Sequence, residues 1–158
     1  MAPLKRRRQF WLVSWMALLA GLMGSLLTGV QAQQDLTPTQ LQQAQYVRSC
    51  GTCHVALPAQ VLPTESWQQL LQDPDHYGQQ IQPLTGVAFQ LAWGYLQPNS
   101  RPLRQGESVP YRLAESRYFR ALHLQVDFPT PVRVSSCVEC HPKVEAGDFA
   151  SLSPEWQS

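Results

Sequence analysis

The chain has 158 residues, of which 12 are basic and 11 acidic, giving a formal net charge of +1 at pH 7. Four of the basic residues lie within residues 5–8, so residues 33–158 carry eight basic against eleven acidic residues and a net charge of about −3. This acidic part is long enough for one small domain, and its lack of a basic patch argues against nucleic acid as a partner.

Residues 1–32 have the pattern of an export signal. Residues 5–8 are Lys-Arg-Arg-Arg and precede an apolar run over residues 10–30, which ends in Val30-Gln31-Ala32-Gln33. A basic region, an apolar region and a small-residue ending are typical of a secretory signal peptide, although about 20 apolar residues can also span a bilayer. We expect residues 1–32 to be a cleaved signal peptide, which the ending favours, or an N-terminal membrane anchor. Either way the remainder is exported, to a periplasm or a thylakoid lumen.

A helix is predicted over residues 39–49, after a polar arm formed by residues 33–40. Leu41, Ala44, Tyr46 and Val47 are expected near one side of this helix. It leads directly into residues 50–54.

Residues 50–54 are Cys-Gly-Thr-Cys-His, and residues 137–141 are Cys-Val-Glu-Cys-His. Both have the C-x-x-C-H pattern by which a c-type haem is attached. Two cysteines three positions apart can both reach the vinyl groups of one porphyrin and form thioethers, and the next histidine then lies under the iron. The motifs use all four cysteines of the chain, so two covalently bound haem c groups are predicted. Their thioethers would form on Cys50, Cys53, Cys137 and Cys140, with His54 and His141 as iron ligands.

Three more helices are predicted between the motifs. The first begins near Thr64 and ends at Asp73-Pro74-Asp75, the second extends from Thr85 to Leu96, and the third from Ser116 to about Leu124. Residues 97–112 contain three prolines and are expected to be a linker, and the tail from Pro142 is expected to be a loop. No stretch alternates like a strand for more than a few residues. The predicted fold class is therefore mostly α with long loops, built around the two haems.

The second axial ligand of each iron has few candidates. Two of the four histidines, His76 and His123, lie outside the motifs, which leaves one for each haem. The three methionines all lie within residues 1–32, which argues against His/Met ligation. We predict bis-histidine ligation, with an open sixth position or an amine such as Lys143 as the alternatives. Two imidazole ligands favour a lower reduction potential than His/Met ligation.

The order of the histidines suggests two local modules. His54 and His76 flank one short segment, residues 55–75, and His123 and His141 flank another, residues 124–140. This spacing favours one haem between His54 and His76 and the other between His123 and His141, while crossed pairing stays open. The domain would then be residues 33–158, with a first haem module over about 41–97 and a second over about 112–156.

Two other uses of the Cys-x-x-Cys pairs agree less well with the sequence. A zinc site would use the same residue types, but export and the histidine directly after both pairs favour haem. A thioredoxin-like redox pair would be expected beside a βαβ pattern, which is lacking. Large aromatic residues are instead predicted to pack around the haems: Trp67, Trp93, Tyr95, Phe119 and Phe128.

With these residues in place, the chain resembles the dihaem cytochrome c family of small exported bacterial proteins over most of residues 46–156. The family's first haem segment is similar to residues 50–58, Leu62-Pro63, Ser66-Trp67 and Asp75-His76-Tyr77-Gly78. Its second is similar to residues 115–119, His123 and residues 137–142. The resemblance implies two low-spin bis-histidine haems and an electron-transfer role. Some relatives are thought to reduce an oxygen-binding high-spin cytochrome.

The function predicted from the sequence is electron transfer between exported or membrane redox proteins, by a carrier that is not an enzyme. Residues 10–30 could anchor it to the membrane, including as a subunit of a larger complex. The alternative is a haem enzyme with peroxidase-like activity, or a gas or redox sensor, with one axial site open or labile.

The haems are expected to supply much of the core, because a domain of this size buries a limited apolar area on its own. We therefore expect the haem-free protein to be poorly folded, with little dispersion in its proton NMR spectrum. A well-dispersed spectrum of haem-free protein would contradict this.

Overall fold

The computed structural model describes residues 36–128 and 130–156, so the predicted signal peptide or anchor lies outside the described residues. The elements, in chain order, are helix α1 (Pro38–Cys50), helix α2 (Thr64–Gln72), strands β1 (Asp75–His76) and β2 (Gln79–Gln80), and helices α3 (Gly86–Asn99), α4 (Arg117–Leu122) and α5 (Cys137–Cys140). Short 3₁₀ turns lie at Ala59–Val61, Leu113–Glu115, Val134–Ser136, Val144–Ala146 and Pro154–Trp156. The predicted class, mostly helical with long loops, is confirmed. Within the described residues, none of the helices is both long and apolar enough to cross a membrane.

Helix α1 begins at a capping box. The Thr37 hydroxyl accepts a hydrogen bond from the Gln40 N–H, and the Gln40 side chain accepts one from the Thr37 N–H. The helix differs by one residue at each end from the predicted 39–49. Its buried face is narrower than expected: Tyr46 is buried, but Leu41 and Val47 are 44 % and 45 % exposed.

The core of the first half forms where α1 and α2 meet α3. The Tyr46 ring stacks on Tyr95 at a centroid distance of 5.2 Å and meets the edge of Trp67 at 5.9 Å. The Tyr46 hydroxyl donates to the Leu57 carbonyl, and the Trp67 indole N–H donates to the Ala59 carbonyl. The polar tips of both aromatic residues are therefore satisfied inside the core.

Helix α3 continues beyond the predicted end at Leu96, as far as Asn99. Pro98 lies in its last turn. Although proline lacks an N–H, Ser100 N–H still donates to the Leu96 carbonyl and closes this turn. Leu96 itself is fully buried.

The segment predicted as a linker, residues 97–112, is fixed against α2. Thr64 N–H donates to the Arg101 carbonyl over 3.1 Å, and the buried Ser66 hydroxyl donates to the Pro110 carbonyl over 2.5 Å. Within the segment, the Arg101 guanidinium contacts the Glu107 carboxylate at 2.6 Å, with 14 % and 4 % of the two side chains exposed. The prolines thus shape a folded loop whose backbone groups pair with the core.

Ser116 ties the second half of the chain to the first. Its fully buried hydroxyl donates to the Val61 carbonyl over 2.5 Å, and it accepts from the Phe119 N–H at the start of α4. Helix α4 then ends at Leu122, earlier than the predicted Leu124, because His123 leaves the helical conformation with φ −126° and ψ 38°. One serine therefore both caps α4 and sets where the helix sits.

We expect Ser116→Ala to lower the free energy of unfolding of the holoprotein by about 2 kcal/mol, because it removes a helix cap and leaves a buried carbonyl without a donor. Chemical denaturation followed by circular dichroism would measure this. The matched control is Ser108→Ala at an exposed position, where the change should stay within about 0.5 kcal/mol. Equal changes in the free energy of unfolding for the two substitutions would contradict a stabilising role for the hydrogen bonds of the Ser116 hydroxyl.

The Arg101–Glu107 pair predicts a dependence of stability on pH. Hydrogen bonds from Arg101 lower the pKa of Glu107 to about 2; burial opposes this shift and the Arg104 N–H adds to it. A lowered folded-state pKa contributes stability that is complete above the unfolded-state pKa, about 4.3 for glutamate, and is lost as the pH falls through 2.

Accordingly, Glu107→Gln should destabilise the protein by about 1–2 kcal/mol at pH 7. The difference from wild type should shrink below about pH 4.3 and vanish near pH 2 in denaturation curves recorded at several pH values. The exposed Glu145→Gln serves as the control. A difference between Glu107→Gln and wild type that does not change with pH would show that the pair contributes through packing alone.

Candidate haem sites

The first Cys-x-x-Cys-His motif begins at the C-terminus of α1. Cys50 is the last helical residue, and Gly51 N–H donates to the Val47 carbonyl over 2.8 Å. A Cβ atom on residue 51 would lie only 2.6 Å from that carbonyl oxygen, so the turn requires glycine here. The helix end thereby places the half-buried Cys50 and the exposed Cys53 on either side of the turn, with His54 directly after it.

The second motif forms a helical turn of its own. Cys137 to Cys140 constitute α5, and His141 N–H donates to the Cys137 carbonyl over 2.9 Å. Ser153 N–H donates to the Cys140 carbonyl, which ties the C-terminal tail to this turn. Burial raises the pKa of Cys50 to about 11 and also raises the pKa of Cys137. All four motif cysteines lie in the described part of the chain, and none of them forms a disulfide.

Two pairs of histidines come together, each consisting of one motif histidine and one other. In the first histidine pair, His54 and His76, the ring centroids are 6.3 Å apart. In the second histidine pair, His123 and His141, they are 6.1 Å apart. The structure thus brings together the residues that the sequence grouped locally.

Both separations suit a metal ion between the two rings. Imidazole nitrogen binds a metal at about 2 Å, and each nitrogen lies about 1 Å from its own ring centroid, so an ion shared by two rings separates the centroids by about 6 Å. Within residues 36–128 and 130–156, no group of three or more His, Cys, Asp or Glu side chains could hold a metal ion by itself. Each pair therefore offers two ligands, the number that the axial positions of a porphyrin iron require.

One histidine of each pair is fixed through its other ring nitrogen. His54 Nδ1 lies 2.8 Å from the Val55 carbonyl, and His123 Nδ1 lies 2.8 Å from the Phe119 carbonyl. A carbonyl can only accept, so in both rings Nδ1 is the donor, and Nε2 is the nitrogen that is left for a metal. Nδ1 of His76 and of His141 is buried without a hydrogen-bond partner among the described residues.

His76 is held in a form that can bind a metal. Burial lowers its pKa, the neighbouring His54 lowers it further, and Asp73 partly opposes the shift. The ring is therefore neutral at pH 7, as imidazole ligation requires.

A hairpin that the sequence analysis did not predict carries His76. Strands β1 and β2 pair through Asp75 with Gln80 and His76 with Gln79, and the two residues between them have φ 56° (Tyr77) and 90° (Gly78). Positive φ at both positions is the type I′ turn of two-residue hairpins. Gly78 suits it, but tyrosine is unusual there, so the residue types gave no clear hairpin signal.

The aromatic residues expected around the haems lie in the hydrophobic core or against it. Trp67 and Phe119 are buried in the core, and Trp93, Tyr95 and Phe128 are partly buried against it. The Phe119 and Phe128 rings lie 4.4 and 5.4 Å from the His123 ring. Among the described residues, then, the second histidine pair sits in an aromatic shell.

Two Cys-x-x-Cys-His turns, whose histidines lie with their ring centroids 6.3 and 6.1 Å from a second imidazole, define a protein with two c-type haem sites. The sequence profile of the dihaem cytochrome c family matches residues 46–149, more than half of the chain. The chain belongs to the dihaem cytochrome c family, which confirms the resemblance and the two covalently bound haem c groups. Proteins of this family are in general electron carriers, and this chain is a haem c electron carrier.

Solved structures give the same assignment. The chain is 28 % identical to the dihaem cytochrome c from Rhodobacter sphaeroides, with a TM-score of 0.53, covering 66 % of this chain and 94 % of that one. It is 27 % identical to a dihaem cytochrome c from Shewanella baltica OS155, with a TM-score of 0.52, covering 68 % of this chain and 87 % of that one. A search of curated proteins gave no match.

Proposed function

We propose that this protein carries electrons through two low-spin haems, each ligated by two histidines: His54 with His76, and His123 with His141. The observation that supports this most directly is the spacing of the rings, 6.3 Å in the first histidine pair and 6.1 Å in the second. The thioether bonds would form on the four motif cysteines, two for each haem.

In this proposal the residues of the chain hold both iron ligands in place before and after each electron passes. The Val55 and Phe119 carbonyls keep His54 and His123 in one tautomer and one orientation. The turn residues hold the cysteines, so that covalent attachment would fix each porphyrin relative to the histidines. Haem iron, when bound, supplies a one-electron redox centre. With both histidines of a pair bound to the iron, a small molecule would have to displace one of them in order to bind.

The partners that follow from this function are two redox proteins, one donor and one acceptor. Haem c is attached after translocation, so the domain would work on the exported side of a membrane, in a periplasm or a thylakoid lumen. Residues 1–32 would serve as the signal peptide or anchor.

A second candidate function has one specific observation in its favour. His76 Nδ1 has no hydrogen-bond partner among the described residues, and such a partner normally orients an imidazole ligand and raises its basicity. A His76 that leaves the iron would open a site for peroxidase-like chemistry or gas sensing. Carbon monoxide binding separates the two functions, because only an open or labile site binds it.

The oxidised and reduced holoprotein should therefore show low-spin spectra that carbon monoxide does not change. His76→Ala should open one haem, so that about half of the total haem binds carbon monoxide at neutral pH, and His123→Ala should do the same. Gln80→Ala, an exposed change in the same hairpin, is the control and should leave both haems closed. Carbon monoxide binding by the wild-type protein would favour the second function.

Local pairing can be tested in a protein that keeps only the second haem. In a Cys50→Ala, Cys53→Ala background, His123→Ala should open the remaining haem, whereas His76→Ala should leave it low-spin. The opposite result would establish crossed pairing.

A further inference from the structure

The two histidine pairs differ in one respect, the angle between their rings. Their centroid separations are nearly equal, at 6.3 and 6.1 Å. The ring planes of His54 and His76 are nearly parallel, at 13°, whereas those of His123 and His141 are nearly perpendicular, at 83°. The two histidine pairs therefore have nearly the same ring separation but different ring orientations.

The Tyr77 ring contacts the His76 ring of the first histidine pair. The His54 ring is held by a hydrogen bond to the Val55 carbonyl. The His76 ring packs against the Tyr77 ring, with a centroid distance of 4.8 Å. Tyr77 occupies this position with a left-handed backbone, φ 56°, a conformation that is unfavourable for a residue other than glycine.

Three contacts from the other half of the chain hold the strained Tyr77. Its hydroxyl donates to the Tyr111 carbonyl over 2.5 Å, its ring meets the edge of the Tyr111 ring at 4.9 Å, and the Arg112 guanidinium lies 5.2 Å from its centroid. The Tyr111 hydroxyl is itself held by the Asp73 carboxylate. A strained residue held from several sides points to a positional role.

The perpendicular arrangement of the second histidine pair has a separate cause. His123 is fixed by the Phe119 carbonyl and lies between the Phe119 and Phe128 rings. The His141 ring packs against Phe149 at 5.8 Å. The contacts that set one angle include none of the residues that set the other, so the two angles can be changed independently.

The angle between two axial imidazoles affects the electronic structure of the iron they share. Each imidazole donates π electrons along the normal to its ring. Two iron d orbitals can accept this π donation. Parallel rings donate into the same one of these two orbitals and so separate the two in energy. Perpendicular rings donate into one orbital each and leave the two nearly equal in energy. The first case gives a ferric iron of moderate magnetic anisotropy, and the second a highly anisotropic one.

We propose that this chain holds its two haems in different electronic states, the first with parallel and the second with perpendicular axial imidazoles, and that Tyr77 and Phe149 are the positioning residues for His76 and His141. The proposal rests on the bis-histidine ligation proposed above. It makes the two chemically identical haems distinguishable to spectroscopy, so that the reduction of each can be followed separately.

Low-temperature EPR of the oxidised holoprotein tests the proposal without any substitution. We expect two low-spin signals of equal integrated intensity: a rhombic one with three resolved g features, and one dominated by a single feature at unusually low field. Two signals of the same type would overturn the inference while leaving bis-histidine ligation intact. A high-spin signal would instead contradict the ligation itself, so the two failures are distinguishable.

Substitutions then test the assignment of each signal. Tyr77→Asn keeps a residue that tolerates positive φ but removes the ring, and it should shift or broaden only the rhombic signal. Phe149→Leu should alter only the low-field signal. Tyr77→Phe retains the ring and should retain the rhombic signal, and Tyr118→Leu, a change at an exposed aromatic residue, should leave both signals unchanged. A change in both signals from either Tyr77→Asn or Phe149→Leu would overturn the roles given to these residues.

Discussion

The constraint on which the site depends is the distance between two imidazole rings. In each pair the ring centroids lie about 6 Å apart, a distance at which one metal ion could reach a nitrogen of both rings and at which the rings do not contact each other. The first histidine pair meets this through a helix end and a strained hairpin, and the second through the short helix α4 and a single helical turn. Quite different local structures thus satisfy the same distance.

Buried hydrogen bonds between distant segments keep those local structures in place. Ser66 and Ser116 are both fully buried and donate to carbonyls 44 and 55 residues away. Tyr77 reaches the Tyr111 carbonyl across 34 residues. Such groups are costly to leave unpaired inside a protein, so they fix the hairpin and α4 relative to the core. The domain thereby positions its two histidine pairs through the polar groups of residues 97–116 as well as through apolar packing.

Much of the fold was predictable from local pattern. The helix over 39–49 and the break at Asp73-Pro74-Asp75 correspond to α1 and the end of α2, because capping residues, apolar spacing and proline act over a few residues. Two features were not predictable in this way. The docking of residues 97–112 and the Tyr77 turn both depend on partners far away in the sequence.

The sequence by itself determined the chemistry: two Cys-x-x-Cys-His motifs, one further histidine for each, and hence two covalent haem groups in an electron carrier. Residue types and short spacings are sufficient for this, because thioether attachment and the motif histidine act within a single short motif. Only the tertiary structure decided that His76 lies opposite His54 and His123 opposite His141, and that the rings are parallel in one pair and perpendicular in the other. The rings contact backbone carbonyls, the strained Tyr77 and packed phenylalanines, and several of these neighbours are themselves held by distant segments that come together only in the folded chain.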